Sequence, residues 1–225
     1  VHERPFILLI PATGNPVFLM PRLEKPHVRA RVVGRIEYLD YPEFPAPHGR
    51  QWSDRMKTVL TASHRVGVET MCPLAIAGQV PGQTKEIDIV DDLRMIKSDF
   101  EIDRIRYTCR LLSRGHAMLL KGARPGRMIV ELYSKASAAL TKKLLMDNPN
   151  SNLLNTKFAV IAQPPHISHD PHNFTDVFMK FSNGGPHVSL ASGLANGYGG
   201  EVERTFFINS VPEKARKPFD DMLEA

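Results

Sequence analysis

Residues 197–207, with the sequence GYGGEVERTFF, place two glutamates and an arginine on one strand-like segment. Side chains alternate between the two faces of a strand, so Glu201, Glu203 and Thr205 share one face and Arg204 lies on the other. Two carboxylates on one face repel each other unless a proton, a cationic substrate or a metal ion lies between them. The segment is therefore a candidate active-site strand, and the alternative is a solvent-facing edge strand.

A second cluster of chemically capable residues lies in the sequence PPHISHDPHN, at residues 164–173. His166, His169, Asp170 and His172 lie so close together that they suggest a zinc site, because imidazoles are common zinc ligands. No HExxH or cysteine pattern supports that site, so we favour a loop that lines a substrate cleft and contains one active histidine. Histidine suits proton transfer because its ordinary pKa is about 6.5.

The composition argues against several classes of protein. Of the 225 residues, 42% are hydrophobic, which is ample for a core. The net charge of +5 is spread along the chain without a basic stripe, so nucleic acid is not an expected partner. The apolar run at residues 6–10 is too short for a membrane span, and Cys72 and Cys109 lack any CxxC partner. We therefore expect no membrane contact, no disulfide scaffold and a cytoplasmic location.

Residues 1–92 are predicted to form an α/β domain. Apolar runs at 6–10 and 17–20, separated by turn residues, predict a β-hairpin. Periodicity predicts further strands and one helix in this part of the chain, namely strands at 35–39, 66–69 and 86–90 and a helix at 52–60.

Residues 93–225 are predicted to form an α+β domain with two helices on an antiparallel sheet. Ser98 and Glu101 form a capping box that begins the first helix, and the helical spacing of Cys109 predicts that it lies in the core. A second helix is expected at about 128–145, with Leu132, Ala136 and Leu140 on one buried face. Four strands are expected after it, at 158–162, 177–181, 187–190 and 198–208.

These motifs in this order resemble the creatinase and Xaa-Pro aminopeptidase/prolidase family, whose catalytic domain has the pita-bread fold. The likeness rests on LRMIKSDFEIDRIR, the helix pair, His172 with Asn173, and GYGGEVERTFF, while LLIPATGNPVFLMPRLE resembles the family's smaller N-terminal domain. The resemblance implies a creatinase-like α/β domain followed by the first half of a pita-bread domain. We therefore expect the chain to be a fragment of a protein nearly twice as long, and to be inactive by itself.

The resemblance also implies roles for individual residues. His172 matches the catalytic histidine of creatinase and would move a proton, with His169 as the alternative. Glu203 would hold a cationic or amide nitrogen of the substrate, and Glu201 matches a metal-ligand position of the metal-dependent members. Arg204 could clamp a substrate carboxylate, although a structural ion pair is the commoner role for such an arginine.

Metal-dependent members of the family hold a dinuclear site with aspartates on adjacent strands, which suits hard divalent cations. The resemblance implies that the first aspartate position falls at Ala191 and the second at Glu201, and an alanine cannot ligate a metal. Creatinase works without metal, and its strand also ends in Glu-Arg-Thr. We therefore expect no metal cofactor, and keep manganese, cobalt or zinc at Glu201 as the alternative.

The resemblance thus implies a hydrolase that cleaves a C–N bond in a small amidino, amide or dipeptide substrate, without the usual dinuclear metal site, and that forms a homodimer. The first alternative is a metal-dependent Xaa-Pro aminopeptidase or dipeptidase. The second is a catalytically inactive pita-bread module that binds a peptide or a protein.

Overall fold

The computed structural model describes residues 4–43, 45–170, 172–173 and 176–225. The chain divides into two compact units, Val1–Ile96 and Lys97–Ala225. Within the described residues, we find no helix with the length and apolar character needed to cross a bilayer.

The first unit contains two small sheets. Strand β1 (Ile7–Leu9) pairs antiparallel with β2 (Val17–Pro21), which pairs parallel with β3 (Glu37–Tyr41), and β4 (Arg65–Val68) pairs parallel with β5 (Gln83–Glu86). The hairpin predicted from the first two apolar runs is confirmed. The described part of this unit also contains the short α-helices α1 (Lys25–Arg29), α2 (Trp52–Met56), α3 (Leu74–Ala77) and α4 (Ile89–Met95).

The strand predicted at residues 86–90 is wrong beyond Glu86, because Ile89 already begins α4. Between the two elements, the Asp88 carboxylate accepts hydrogen bonds from the backbone N–H of Thr70 at 3.1 Å and from its hydroxyl at 2.7 Å. These bonds tie the end of β5 to the chain that follows β4. The apolar residues after Asp88 therefore enter a helix instead of extending the strand.

The second unit packs two long helices against an antiparallel sheet, as predicted. Helix α5 (Asp99–Gly122) and helix α6 (Ile129–Asp147) precede the strands β6 (Lys157–Gln163), β7 (Gly184–Ala195) and β8 (Tyr198–Ile208), and helix α7 (Glu213–Glu224) follows them. The strands are ordered β6–β7–β8. The Ser98 and Glu101 capping box that begins α5 is confirmed.

The core of this unit lies between the helices and one face of the sheet. Leu132, Ala136 and Leu140 of α6 are all buried there, which confirms the predicted stripe. Cys109 of α5, by contrast, is exposed, so its predicted place in the core is wrong. The buried stripe of α5 runs beside it, because the helix turns a different set of side chains towards the sheet: Thr108, Leu111, Leu112, Gly115, His116 and Leu119.

The strand predicted at residues 177–181 is also wrong. Phe181 instead exchanges backbone hydrogen bonds with the connection between α5 and α6, donating to the Arg127 carbonyl and accepting from the Gly126 N–H. Met179 accepts from the N–H of Ile129 at 3.0 Å in the same way. The segment therefore bonds to the backbone at the start of α6 and does not form a further strand of the sheet.

Candidate functional site

A tight hairpin brings the two glutamates into position. Asn196 and Gly197 join β7 to β8 and both have positive φ, 52° and 87°, as a two-residue turn of this kind requires. The turn is anchored from outside, because the Gly197 N–H donates to the Asn155 carbonyl at 2.9 Å. Our reading of the sequence missed this turn, although an Asn-Gly pair is a strong signal for one.

The register of the hairpin sets the face on which each side chain lies. Glu201 pairs with Ser192 and Glu203 pairs with Leu190 across the β7–β8 ladder. Both glutamates, with Thr205, lie on the sheet face that points away from the core, and all three line a cleft of about 1490 Å³. The predicted alternation of faces along β8 is therefore confirmed.

The glycines that precede the glutamates serve packing. A Cβ on Gly200 would lie 3.0 Å from the Cys109 sulfur and 3.3 Å from a methyl group of Leu112, both on α5. A Cβ on Gly193 of β7 would overlap the backbone carbonyl of Lys157 on β6. The small residues of this hairpin thus allow the helix and the neighbouring strand to approach it closely.

A buried polar pair lies behind the site, on the helix face of the sheet. Nε2 of His116 on α5 lies 2.5 Å from the Ser189 hydroxyl on β7, and that hydroxyl donates to the Arg204 carbonyl at 3.1 Å. The single hydroxyl hydrogen is thereby used, so the His116 Nε2–H is the donor to Ser189. Burial, and then the charge of Arg204, lowers the pKa of His116. Sequence reasoning did not single out His116, although its helical spacing from Leu112 and Leu119 could have placed it in the buried stripe.

The histidine loop follows β6. His172 lines the same cleft as the glutamates, and its backbone N–H donates to the Asp170 carboxylate at 3.3 Å. His166 and His169 are exposed and are not among the residues that line the cleft. The geometry thus brings His172, Glu201 and Glu203 to one cleft and leaves His169 outside it.

Arg204 lies on the face of β8 that is opposite to the face of the two glutamates. Its guanidinium group is exposed and donates from Nη1 to the Glu203 carbonyl at 2.6 Å. Its atoms also border the cleft. Among the described residues no carboxylate forms a salt bridge with Arg204, so the predicted structural ion pair is absent from that part of the chain.

The cleft face near Glu201 differs from the arrangement expected for a metal site. Ala191 is fully buried in the core between the sheet and the helices, so it lies on the face opposite to Glu201. Its assignment as the first aspartate position is therefore wrong. On the cleft face, β7 presents Leu190 and Ser192, and no group of three or more His, Cys, Asp or Glu residues suited to a metal ion occurs within the described residues.

The second unit, with helices on one face of an antiparallel sheet and candidate catalytic side chains on the other, has the architecture of one half of a pita-bread domain. The chain is similar to the prolidase from Pyrococcus furiosus with a TM-score of 0.70 and 18% identity, covering 94% of this chain and 58% of the prolidase. It superimposes on the Xaa-Pro dipeptidase from Bacillus anthracis with a TM-score of 0.69 and 15% identity, covering 99% of this chain and 66% of that protein. The predicted fold class is confirmed.

A curated relative agrees with the structural neighbours. The chain is 24% identical over 230 aligned residues to the "Probable dipeptidase PepE" of Mycobacterium tuberculosis, covering 99% of this chain. The chain spans 58% of the length of that relative. No protein-family model matches the chain. The resemblance to the creatinase and Xaa-Pro peptidase family is confirmed by these matches.

Proposed function

We propose that this chain supplies one wall of the active site of a hydrolase that cleaves the C–N bond of a small dipeptide or related amide, with an amidino substrate as the alternative. The observation that carries the proposal is that His172, Glu201 and Glu203 line one cleft on a sheet with this fold. The dipeptidase and prolidase names of the matched proteins support a dipeptide substrate. Leu190, which pairs with Glu203 across the sheet and lines the same cleft, supports a substrate with an apolar part.

The apolar neighbours of Glu203 favour its binding to a cationic or polarised substrate nitrogen. Leu190 lies directly across from Glu203, and Ile161 of β6 pairs with Leu190 on its other side. Apolar neighbours exclude water when a substrate enters, and exclusion of water strengthens the attraction between a carboxylate and a cationic or polarised nitrogen. We therefore assign the substrate nitrogen to Glu203, with Glu201 as a second acceptor.

His172 is the proposed proton carrier. An imidazole can protonate a leaving nitrogen and take a proton from the attacking water, because its ordinary pKa lies near neutrality. His169 remains the alternative for this role, although it lies outside the cleft lining. Arg204 is proposed to contact a substrate carboxylate, because its guanidinium group is exposed at the cleft border.

The metal question is part of the proposal. The matched proteins are peptidases, which favours the divalent-metal alternative over the metal-free reaction that the sequence suggested. Carboxylates such as Glu201 and Glu203 are the ligand type that hard divalent cations prefer. Two carboxylates do not complete a dinuclear ligand set, so the described residues alone do not fit one, and the roles above involve only the chain's own groups.

The test uses the full-length protein with a panel of Xaa-Pro dipeptides and creatine. We expect His172→Ala to lower kcat/KM by about a hundredfold or more, because general acid–base groups contribute on that scale. His166→Ala is the matched control, since His166 is in the same loop and outside the cleft lining. Loss of activity with His169→Ala in place of His172→Ala would reassign the proton carrier.

Two further measurements separate the alternatives. Metal analysis after dialysis, and activity in chelator, distinguish a manganese, cobalt or zinc peptidase from a metal-free enzyme. A protein that hydrolyses nothing on the panel, yet binds a peptide equally well with and without His172→Ala, would be a binding module and would contradict the proposal.

The proposal also includes a homodimer in the cytoplasm, as expected from the resemblance and from the cysteine usage. Light scattering on the full-length protein gives its mass in solution, and fractionation of the source cells gives its location. A monomeric mass at micromolar concentration would contradict the homodimer.

A further inference from the structure

The side chain of Gln163 occupies an unusual place for an amide. It lies at the end of β6, on the cleft face of the sheet, where it pairs with Val188 of β7. Only 8% of the residue is exposed. A buried amide is costly unless its polar atoms are hydrogen-bonded, so the partners of this side chain indicate what it does.

Those partners are on both sides of His172. Nε2 of Gln163 donates to the Asp170 carbonyl at 2.8 Å and to the Asn173 carbonyl at 2.7 Å. The two acceptors flank His172 in the sequence. One buried side chain on a strand therefore holds the backbone on either side of the candidate catalytic histidine.

Hydrogen bonds within the loop also converge on Asp170. The Asn173 N–H donates to the Asp170 carbonyl at 3.1 Å, and the His172 N–H donates to the Asp170 carboxylate at 3.3 Å. The Asp170 carbonyl thus accepts from the turn and from Gln163 together. The short turn that contains His172 is joined to the sheet through Gln163.

Gln163 and the two glutamates lie on the same sheet. Gln163 lies two residues from Ile161 on β6, and Ile161 is in the same cross-strand row as Leu190 and Glu203. Side chains two residues apart on a strand share a face and are separated by about 7 Å. A loop attached at Gln163 is therefore held one row from Glu203 by the ladder hydrogen bonds of the sheet.

We propose that Gln163 is a positioning residue that holds His172 in register with Glu203 across the cleft. The catalytic meaning of this register rests on the function proposed above, but the anchoring of the loop does not. Gln163 itself need not touch the substrate, because its amide hydrogens are directed at the loop carbonyls.

The test compares three variants of the full-length protein by amide hydrogen exchange at His172 and Asn173. Gln163→Met keeps the length and volume of the side chain and removes both donors. Gln163→Glu removes both donors when ionised and regains one when protonated. Gln83→Glu, on an exposed strand of the first unit, is the matched control.

We expect exchange at His172 and Asn173 to be roughly tenfold to a hundredfold faster in Gln163→Met, since two hydrogen bonds of ordinary strength are lost. In Gln163→Glu, protection corrected for intrinsic rates should recover in part as the pH falls and the new carboxyl becomes protonated. Gln83→Glu should exchange like the wild type. Wild-type protection in both Gln163 variants, or no recovery of Gln163→Glu at low pH, would overturn the inference.

Kinetics separate this inference from the proposed function. If both hold, Gln163→Met lowers kcat more than it raises KM, because a displaced proton carrier slows the chemical step more than substrate binding. If the loop exchanges faster but His172→Ala leaves the rate unchanged, the anchor stands and the proposed function fails. If the loop is unaffected while His172→Ala removes activity, the function stands and the role of Gln163 fails.

Discussion

The buried pair behind the site gives a double-mutant prediction with a definite sign. His116 is 8% exposed and Ser189 is fully buried, and the Ser189 hydroxyl links the His116 imidazole to the Arg204 carbonyl. Ser189→Ala removes both bonds and leaves the His116 N–H without its acceptor. An unsatisfied buried polar group costs about 1–3 kcal/mol, so we expect a loss of about 2 kcal/mol in the free energy of unfolding.

The second arm of the cycle is His116→Leu. It removes the imidazole but leaves the Ser189 hydroxyl bonded to the Arg204 carbonyl, and we expect a cost of about 1–2 kcal/mol. The double variant replaces both partners by apolar groups and leaves no orphaned donor on the helix. It should therefore cost less than the sum of the single variants, with a coupling free energy of about 1 kcal/mol.

Urea denaturation followed by two probes measures this cycle. Far-UV circular dichroism is dominated by the long helices α5 and α6 of the second unit. The single tryptophan, Trp52, lies in the first unit, so its fluorescence is an internal control that the variants should leave unchanged. If the two single effects add to within about 0.4 kcal/mol, the pair is not coupled and our reading of the Ser189 geometry is refuted.

Two further predictions concern stability. Burial lowers the pKa of both His116 and His187 of β7, so each histidine protonates less readily in the folded state than in the unfolded state. The stability linked to this difference is present above the unfolded pKa of about 6.5 and is lost as the pH falls below it. Urea midpoints between pH 8 and pH 5 should show this loss, and His116→Leu should make it shallower, whereas an unchanged slope would contradict it. Gly193→Ala should destabilise the second unit by about 2 kcal/mol or more, because its methyl group would overlap the Lys157 carbonyl. At Gly199, in the same hairpin, an added methyl group would meet the end of the Leu194 side chain at 3.1 Å and the Gly193 carbonyl at an ordinary 3.8 Å. Gly199→Ala should therefore cost clearly less in the same denaturation assay, and equal costs would argue against the close approach of β6 to β7.

Local patterns predicted several elements of this protein. The Ser98 and Glu101 capping box, the buried stripe of α6 and the alternation of faces along β8 each depend on residues a few positions apart. The start and end of β8 were predicted at the residues where they occur, Tyr198 and Ile208. Interactions within one element suffice for such features, because the period of a helix or a strand fixes them.

Predictions failed where a distant segment decided the outcome. The apolar residues 177–181 looked like a strand, but they bond to the start of α6, about fifty residues earlier in the chain. Cys109 has the right spacing for the core, and the way α5 crosses the sheet leaves it exposed. Neither result could be read from the neighbouring sequence, because each depends on which face of an element meets its partner.

The features of the candidate site also separate into those set by the local sequence and those set by the tertiary structure. The sequence alone determined that β8 carries two carboxylates on one face and that residues 164–173 form a histidine-rich loop, since both follow from residue type and short spacing. Only the tertiary structure decided that Leu190 and Ser192, and not Ala191, face those carboxylates, and that Gln163 holds the turn of His172. Strand register and side-chain-to-backbone bonds join residues far apart in the sequence, and a slip of one residue would send every side chain of β7 to the other face.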